Sequence, residues 1–360
     1  MSGMVQRHDT LDGWVITDPA TAVAVLRDPA SWSSDRFDGP RPEVHDRWVR
    51  ELAETEEGLR ELLEVAPQAL IGLDPPQHTR MRAVLRRPFA PAAVQALRPV
   101  VAEEVEAALG GIVTGEPVDV VEAFTRPVPF RIVARLLGLP RAAWAELEAL
   151  AHAASTDDTA TETFEELRAR LLAERDIMRF FVDHLARDAE APSEAVLPVL
   201  RAAVAEGTIT PREGAGLCRE VLVAGSDSVG HLLSGALLAI ATDGRPEDLG
   251  AFVEQRLAVA PPFTAFWRRA TRDTELAGVP IPAGGLVQLP YAKLNETAAR
   301  HLSFGHGVHF CLGAALARLE ADVALRAVLG ATSTIELAGE PERLASPAVN
   351  GLRRLVLRLG

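Results

Sequence analysis

The feature that most constrains the fold is the segment 211–242, whose pattern predicts one long helix, largely apolar but interrupted by charged residues. A helix that is apolar on most of its surface is buried, so this one is expected inside the core. The rest of the chain agrees, because it is rich in Ala, Leu, Glu and Arg and has few β-branched stretches. With 360 residues, 48% of them hydrophobic, the sequence predicts a mainly α fold with a minor β part, in one domain spanning residues 1–360.

The same periodicity predicts shorter helices on both sides of this stretch. They cover residues 18–28, 91–109, 140–154, 160–187, 193–206 and about 313–329. Asp18 followed by Pro19 is typical of a helix start, because an aspartate caps free amides and proline suits the first turn. Extended structure is predicted only in short pieces, at residues 13–17, 274–288 and the final LRRLVLRL.

Charge and composition exclude several classes of protein. The formal net charge of -13 at pH 7 argues against a nucleic-acid partner, which needs a broad basic surface. Only two cysteines, Cys218 and Cys311, exclude a disulfide framework and fit a reducing cytoplasm. The N-terminus lacks the pattern of a signal peptide, and no apolar run approaches the roughly 18 residues of a membrane span. We therefore expect a cytoplasmic protein without a membrane span.

The densest chemistry lies in the segment 301–313, HLSFGHGVHFCLG. Glycines let a backbone approach a flat ligand, and Cys311 stands just before a predicted helix, whose dipole and free amides favour a metal-binding thiolate. One interpretation is a buried cysteine in an ordinary turn. A zinc site is a second, although it would crowd His301, His306, His309 and Cys311 into one tight loop. A thiolate on haem iron is the third, and it explains the glycines best.

The part FGHGVHFCLG resembles the haem-binding signature of the cytochrome P-450 family, with its phenylalanine, glycines, histidine and cysteine in register. The resemblance implies haem b (iron protoporphyrin IX), bound between the long central helix and the cysteine loop with the final helix. It makes the Cys311 thiolate the axial iron ligand and places Phe304 beside the sulfur, while Gly305, His309 and Gly313 complete the signature. In this family the thiolate favours O–O cleavage.

Basic residues in three distant segments also match the family. His78 and Arg82 lie four residues apart within DPPQHTRMRAVLRRPFA, on one face of a predicted helix. A solvated basic helix is the alternative for this pair, but the resemblance gives both residues a haem propionate to bind. Arg268 falls where the family has another propionate-binding arginine, and His301 matches a propionate-contacting histidine. Four basic groups are then expected to meet two carboxylates.

The long helix carries Ala224-Gly225-Ser226-Asp227-Ser228, an acid followed by an alcohol in an otherwise apolar stretch. Such groups are costly inside a buried helix unless they are bonded locally or have a function. A local kink with the hydroxyl bonded to a carbonyl is one explanation. The resemblance instead implies the oxygen-activation motif, with Ala224 and Gly225 at the haem, Asp227 relaying protons and Ser228 steadying dioxygen. The family usually has threonine at the position of Ser228.

The sequence departs from the family at its Glu-x-x-Arg motif. Keeping the spacing puts Gln255 and Ala258 at the two motif positions. Glu254 and Arg256 are two residues apart on a predicted helix and point in different directions, so they are not expected to replace the pair. The segment 286–300 is also shorter than in the family, and family members have further elements before the first strand. We therefore expect the whole charge network of this region to be missing.

The resemblance implies a haem-thiolate monooxygenase, or a related oxidative enzyme, that uses dioxygen to oxidise an apolar small molecule in bacterial secondary metabolism. A ferredoxin or similar donor is expected, because the chain has no flavin or nicotinamide domain. Val223, Phe263, Thr264 and Phe266 fall where the family lines its substrate pocket, although core packing explains them equally well. Two forms of the substrate remain as alternatives: a free small molecule, or one tethered to a carrier protein. The alternative function is a degenerate relative, either an accessory protein that stabilises a partner or a redox-neutral haem enzyme.

Overall fold

The computed structural model describes residues 3–9, 11–40, 43–65, 70–113, 115–155, 162–187 and 191–360. Within these ranges the fold is mainly helical, as the composition predicts. In chain order the α-helices are α1 (Pro19–Arg27), α2 (Glu43–Thr55), α3 (Leu59–Val65), α4 (Gln77–Val84), α5 (Pro91–Ala96), α6 (Arg98–Leu109), α7 (Pro127–Leu137), α8 (Trp144–Ala153), α9 (Phe164–Ala186), α10 (Val196–Ala205), α11 (Pro211–Asp243), α12 (Leu249–Val259), α13 (Tyr291–Asn295) and α14 (Ala314–Ala331).

The strands are short and lie mostly in the first and last parts of the chain. They are β1 (Val5–Arg7), β2 (Trp14–Ile16), β3 (Trp32–Ser33), β4 (Pro117–Asp119), β5 (Ala265–Ala270), β6 (Thr274–Leu276), β7 (Val279–Ile281), β8 (Leu286–Pro290), β9 (Ile335–Leu337), β10 (Glu342–Arg343), β11 (Leu352–Arg354) and β12 (Val356–Leu359). The largest sheet has the order β1-β2-β8-β5-β3, in which β2 and β8 are parallel and the other neighbours antiparallel. In this sheet Arg268 pairs with Val287, and its side chain is buried.

The long helix α11 is the central element of the fold. A capping box fixes its start, because Thr210 Oγ1 accepts a hydrogen bond from the amide of Glu213 and the Glu213 carboxylate accepts one from the amide of Thr210. It packs against α7, α9 and α14. At Gly225 the contact with α7 is so close that a Cβ atom there would lie 2.8 Å from Val133 Cγ2. The predicted helix over 211–242 is confirmed.

Other predicted elements are confirmed with shifted ends. Helix α1 follows Asp18, whose side chain accepts a hydrogen bond from the amide of Thr21 at 2.7 Å. The predicted helix 91–109 is instead two helices that meet at Leu97. Pro99 explains the break, because it has no N–H for the carbonyl four residues earlier and its ring crowds that carbonyl. The predicted helix 160–187 begins at Phe164, while residues 160–161 lie outside the described ranges.

One helix in the described part of the chain, α11, is long and apolar enough to cross a membrane. This differs from the expectation that no apolar run approaches that length. However, 56% of its most apolar window is buried inside the fold. Its length and hydropathy therefore fit the core helix around which the other helices pack.

Candidate active site

A cavity lies between α11, the loop that precedes α14, and the start of α14 itself. It brings together most of the residues that the sequence predicts for the cofactor, oxygen or substrate. These are His78, Arg82, Ala224, Gly225, Ser228, Phe263, Phe266, Arg268, Phe304, Gly305, His309, Cys311 and Gly313. Much of the remaining lining is apolar, including Leu85, Phe89, Val133, Leu136, Leu232 and Leu316. The cavity therefore lies where the sequence predicts the haem.

Cys311 is held in a loop that folds back on itself. Its amide donates a hydrogen bond to the carbonyl of Phe304 at 2.8 Å. Gly305 and Gly307 both have a φ of 69°, in the left-handed region that favours glycine. A Cβ atom at Gly307 would overlap the carbonyl oxygen of Leu26, so this glycine also lets the loop approach α1. Gly305 and Gly307 are thus required by the path of the backbone.

Burial decides the protonation of Cys311 in the protein alone. It raises the pKa of the thiol, and this effect exceeds the opposing effects of the Gly313 and Ala314 amides and of Arg82 and Arg318. The amides at the helix start therefore act in the expected direction by lowering the pKa of the thiol, but burial has the larger effect in the polypeptide by itself. A metal cation at the sulfur is what holds such a thiol deprotonated.

Two histidines stand side by side in the cavity wall, and the ring centroids of His78 and His309 are 4.2 Å apart. Burial, together with the nearby Arg82, lowers the pKa of His78 to about 4. Burial, followed by the nearby Arg268, lowers the pKa of His309 to about 3, and its Nε2 lies 3.0 Å from Ser34 Oγ. His78 is 1% exposed, and neither of its ring nitrogens has a partner in the described chain. Both imidazoles are neutral at pH 7, and the ring N–H of His78 can donate a hydrogen bond to a further acceptor.

Two guanidinium groups reach the same cavity. Arg82 donates one hydrogen bond to the carbonyl of Phe310 at 2.5 Å, and Arg268 donates one to the carbonyl of Trp267 at 2.7 Å. Burial lowers the pKa of each arginine, but an arginine stays charged at any physiological pH. A guanidinium has five N–H donors, so both retain donors for a further acceptor. Together with His78 they suit a ligand that carries carboxylates.

One face of α11 forms another wall of the cavity. Ser228 Oγ donates a hydrogen bond to the carbonyl of Ala224 at 2.6 Å, which is the local bond that the sequence leaves open. The hydroxyl oxygen still accepts a further bond, so this contact does not exclude a role in the cavity. Asp227 lies elsewhere. It lines a second cavity on another side of α11, together with Gly230 and His231.

The position of Asp227 follows from helix geometry, because consecutive residues point about 100° apart. The same rule corrects the prediction for Val223, which precedes Ala224 and does not line the first cavity.

Two further predicted residues do not line the cavity. Thr264 is absent from the lining, and its hydroxyl donates to the carbonyl of Pro347 at 2.7 Å. His301 is the fourth correction. Its Nε2 lies 3.0 Å from a carboxylate oxygen of Glu254 instead of facing the cavity.

Glu254 forms a charge cluster that the sequence does not predict. Its carboxylate accepts hydrogen bonds from Arg318 Nε at 2.6 Å and Arg318 Nη2 at 2.9 Å, besides its contact with His301. These partners lower the pKa of Glu254 to about 2, with Arg318 making the largest contribution. Arg318 also lies over the ring of Phe304, 4.4 Å from its centroid. The family's own network stays absent, with Gln255 and Ala258 at its motif positions, but Glu254 pairs with Arg318 and His301, which the sequence did not predict.

A neutral network connects α12 to the cysteine loop. The Asn295 side chain donates hydrogen bonds to the carbonyl of Ala258 at 2.9 Å and to Ser303 Oγ at 3.0 Å. It also accepts one from the amide of Leu302 at 2.7 Å. Ser303 Oγ donates in turn to the carbonyl of Leu257 at 2.6 Å. The end of α12, where Ala258 replaces the expected arginine, is thus held through its backbone.

Three ionisable side chains of the described cavity wall are not predicted by the sequence, namely those of Glu220, Tyr291 and Glu320. Glu220 precedes Ala224 and Ser228 by four and eight residues, so helical spacing puts it on their face, and this signal was available. Glu320 is an acid within an apolar helix, which is a weaker signal because surface helices also carry acids. Nothing in the sequence marks Tyr291, which reaches the cavity because β8 ends beside it.

The histidines of the cysteine segment have separate partners. His301 contacts Glu254, His309 lies beside Ser34, and His306 Nε2 accepts a hydrogen bond from Arg27 at 2.7 Å. Among the described residues, no group of three His, Cys, Asp or Glu side chains is arranged to hold a metal ion. The zinc interpretation therefore does not fit the structure. One cysteine that faces a cavity with basic edges, in a mainly helical fold, fits the haem-thiolate interpretation instead.

Comparison with known proteins identifies the family. The chain is 30% identical over 325 residues to cytochrome P450 109 of Bacillus spizizenii. The aligned region covers 82% of this chain and 80% of that protein. It is 30% identical over 354 residues to the mycinamicin IV hydroxylase/epoxidase of Micromonospora griseorubida, with 91% and 88% covered. No protein-family model matches the chain. The chain belongs to the cytochrome P450 family.

The fold agrees with this assignment. The structure matches that of P450BioI in complex with an acyl carrier protein ligated to hexadec-9Z-enoic acid, with a TM-score of 0.82 and 23% identity over 97% of this chain and 92% of that one. Relatives named as hydroxylases and epoxidases confirm the prediction of a haem monooxygenase of bacterial secondary metabolism. Such enzymes carry a thiolate-ligated haem and need a redox partner. Among these relatives nothing favours the alternative of a non-oxygenase role.

Proposed function

We propose that this protein binds haem b through the Cys311 thiolate and hydroxylates or epoxidises an apolar small molecule. When bound, a thiolate-ligated haem supplies the chemistry of dioxygen reduction and O–O cleavage. The observation that carries the proposal is the cavity itself, which joins Cys311 to the polar face of α11 and to basic residues with unused donors. The whole chain is proposed to act as one domain in the cytoplasm, where its two free cysteines stay reduced.

The haem propionates are assigned to Arg82, Arg268, His78 and His309. The two guanidiniums keep donors after their single backbone bonds, and the buried His78 imidazole has no other partner in the described residues. Burying these groups is costly unless an acceptor arrives, so a pair of carboxylates stabilises all of them at once. His301 is left out of this set, because Glu254 holds its Nε2.

On α11, Ser228 and Asp227 are assigned different tasks. The Ser228 hydroxyl lies in the haem cavity and steadies dioxygen there, with its position set by the bond to the carbonyl of Ala224. The Asp227 carboxylate carries protons from the second cavity, whose lining is rich in charged and titratable side chains. These are Glu122, Arg126, Glu148, His152, His231 and Arg353. Protons therefore enter from another side of α11 than the substrate does.

The substrate is assigned to the apolar part of the first cavity. Phe263 and Phe266 lie there with ring centroids 5.5 Å apart, and Leu85, Phe89 and Val133 extend the apolar wall. A carrier-tethered substrate is supported by the similarity to a P450 solved with an acyl carrier protein. A ferredoxin or similar protein is proposed as the electron donor. The exposed Phe310, next to Cys311, offers it an apolar contact.

The test is the absorption spectrum of the reduced, CO-treated protein. We expect the red-shifted Soret band of a thiolate-ligated haem, and Cys311→Ala should abolish it. Cys218→Ala is the matched control, because this other cysteine is fully buried in α11 and should leave the band unchanged. A colourless protein that also fails to take up added haemin would contradict the proposal. A band that survives Cys311→Ala would show that the ligand assignment is wrong.

A further inference from the structure

Glu220 brings a carboxylate to the substrate cavity, where the surrounding wall is mostly apolar. It lies on α11 four residues before Ala224 and eight before Ser228, about one and two turns, on the face that lines the cavity. Leu70 and Ile71, from the 3₁₀ turn Leu70–Gly72, stand next to it in the same wall. Glu220 therefore belongs to the wall of the space that the substrate enters.

The hydrogen bonds of Glu220 leave part of its carboxylate free. The amides of Leu70 and Ile71 donate to it, the second at 2.9 Å. A carboxylate has about four lone-pair sites, so two amides use about half of them. A neutral acceptor such as glutamine has an oxygen for such amides without a buried charge. The two hydrogen bonds from the backbone thus explain why a hydrogen-bond acceptor is present at residue 220. They do not explain why that acceptor is an acid.

The nearby cations are engaged by other groups. Arg219 donates its hydrogen bonds to Glu174, from α9. Arg82 donates to the carbonyl of Phe310, and the proposed function gives its remaining donors to a propionate. No ion pair to Glu220 is formed among the described residues, although both arginines help to lower its pKa. Burial has the larger effect and raises the pKa of Glu220 to about 7.

We propose that Glu220 binds a protonated amine of the substrate, so that the enzyme acts on apolar molecules that carry an aliphatic amino group. The inference rests on the proposed function, because it takes the cavity to be the substrate site of a haem enzyme. An ammonium group supplies the positive charge that the carboxylate lacks and uses its remaining acceptor sites. The apolar wall then contacts the rest of the molecule and places it beside Ser228.

Binding of three probes with the same dodecyl chain tests this assignment. They are dodecyldimethylammonium, dodecanol and dodecanoate. The first keeps one N–H donor for the carboxylate, and its two N-methyl groups hinder ligation of iron by any free amine. Spectral titration of the haem-loaded, full-length protein should show the cation binding at least about tenfold more tightly than the alcohol, and dodecanoate most weakly. A cation that binds no more tightly than dodecanol overturns the proposal.

Glu220→Gln should abolish the preference for the cation while dodecanol binding stays within about twofold. Glu320→Gln is the matched control, since it replaces another buried acid of the same cavity and should keep the preference. Loss of the preference in this control, or its survival in Glu220→Gln, contradicts the assignment. If Glu220→Gln also alters dodecanol binding, Glu220→Asp decides. A retained preference then supports the proposal, and a lost one overturns it.

The CO-bound spectrum separates this inference from the function on which it rests. A normal thiolate-type band in a protein without cation preference contradicts only the role of Glu220. Absence of the band contradicts the haem-thiolate function itself.

Discussion

The Glu254 carboxylate of α12 accepts two hydrogen bonds from the Arg318 guanidinium of α14, at 2.6 and 2.9 Å. This pair joins two helices next to the cysteine loop. His301, at the start of the segment 301–313, contacts the same carboxylate. The family motif is missing at Gln255 and Ala258, yet a carboxylate one residue earlier in the chain still anchors this region. The neighbourhood of Cys311 is thus stabilised by a different set of charges.

Glu254→Gln should destabilise the fold in a pH-dependent way. The pKa of Glu254 is lowered to about 2, so its contribution is present above the ordinary value of 4.5 and is lost as the pH falls through about 2. Because the side chain is partly exposed, we expect a loss of roughly 1 kcal/mol at pH 7. Urea unfolding from pH 7 to pH 2 measures it, with Glu296→Gln as the control for an exposed pair. A difference that is constant over this range would contradict the prediction.

Asn295→Ala should weaken the connection between α12 and the cysteine loop. It removes the acceptor for the Leu302 amide and the donor for the Ala258 carbonyl, so we expect a loss of about 2 kcal/mol in the free energy of unfolding. Asn295→Asp keeps the acceptor and loses the donors, and its loss should be smaller. Chemical unfolding of the three proteins gives the order. Equal stability of Asn295→Ala and the parent protein would show that this network is unimportant.

Glu320→Gln should stabilise the protein increasingly as the pH rises. Glu320 is 1% exposed, its carboxylate oxygens have no partner in the described chain, and burial raises its pKa well above 4.5. The folded state therefore binds a proton that the unfolded state releases above 4.5, and the parent protein loses stability as the pH increases. The gain of the variant should be near zero at pH 4 and should grow as the pH rises to 7.

Urea unfolding at both pH values checks this prediction for Glu320. The control is Glu336→Gln, at an exposed position of β9, and it should show no such trend. A variant that is less stable than the parent protein at pH 7 would indicate that Glu320 is ionised and paired in solution.

Gly225→Ala should be destabilising because of its contact with α7. The added Cβ would lie 2.8 Å from Val133 Cγ2, so we expect a loss of roughly 1–3 kcal/mol. Val133→Ala removes the clashing methyl groups, and the double variant should therefore lose less than the sum of the two single variants. Thermal or chemical unfolding of the four proteins completes the cycle. Additive losses would mean that the helices move apart at no cost.

Ser228→Ala should uncouple NAD(P)H oxidation from product formation. With redox partners present, NAD(P)H oxidation should persist while the product yield per NAD(P)H falls several-fold, because the hydroxyl in the cavity is lost. Ser228→Thr keeps the hydroxyl and adds a methyl group that limits its rotamers, so its yield should equal or exceed that of the parent protein. An unchanged yield in Ser228→Ala would contradict the role assigned to this residue.

Much of the fold follows from local patterns. The pattern of 211–242 predicts α11, and Asp18 with Pro19 predicts the start of α1. The break at Leu97 was also available in the sequence, because proline disrupts a helix wherever it stands in its interior. These features depend on residues within one or two turns of each other, and such neighbours are visible in the sequence.

The cysteine signature determined the family, and with it the expected place of Cys311, His309 and the glycines. Its specificity comes from the backbone path, since Gly305 and Gly307 require a left-handed conformation whatever surrounds them. Only the tertiary structure decided which side of α11 faces the cavity, and so put Ser228 in it and Asp227 outside it. It also paired Glu254 with His301 and Arg318, which lie 47 and 64 residues away. Residues so far apart in the chain come into contact only where packing brings their helices and loops together, and no local sequence pattern indicates such a contact.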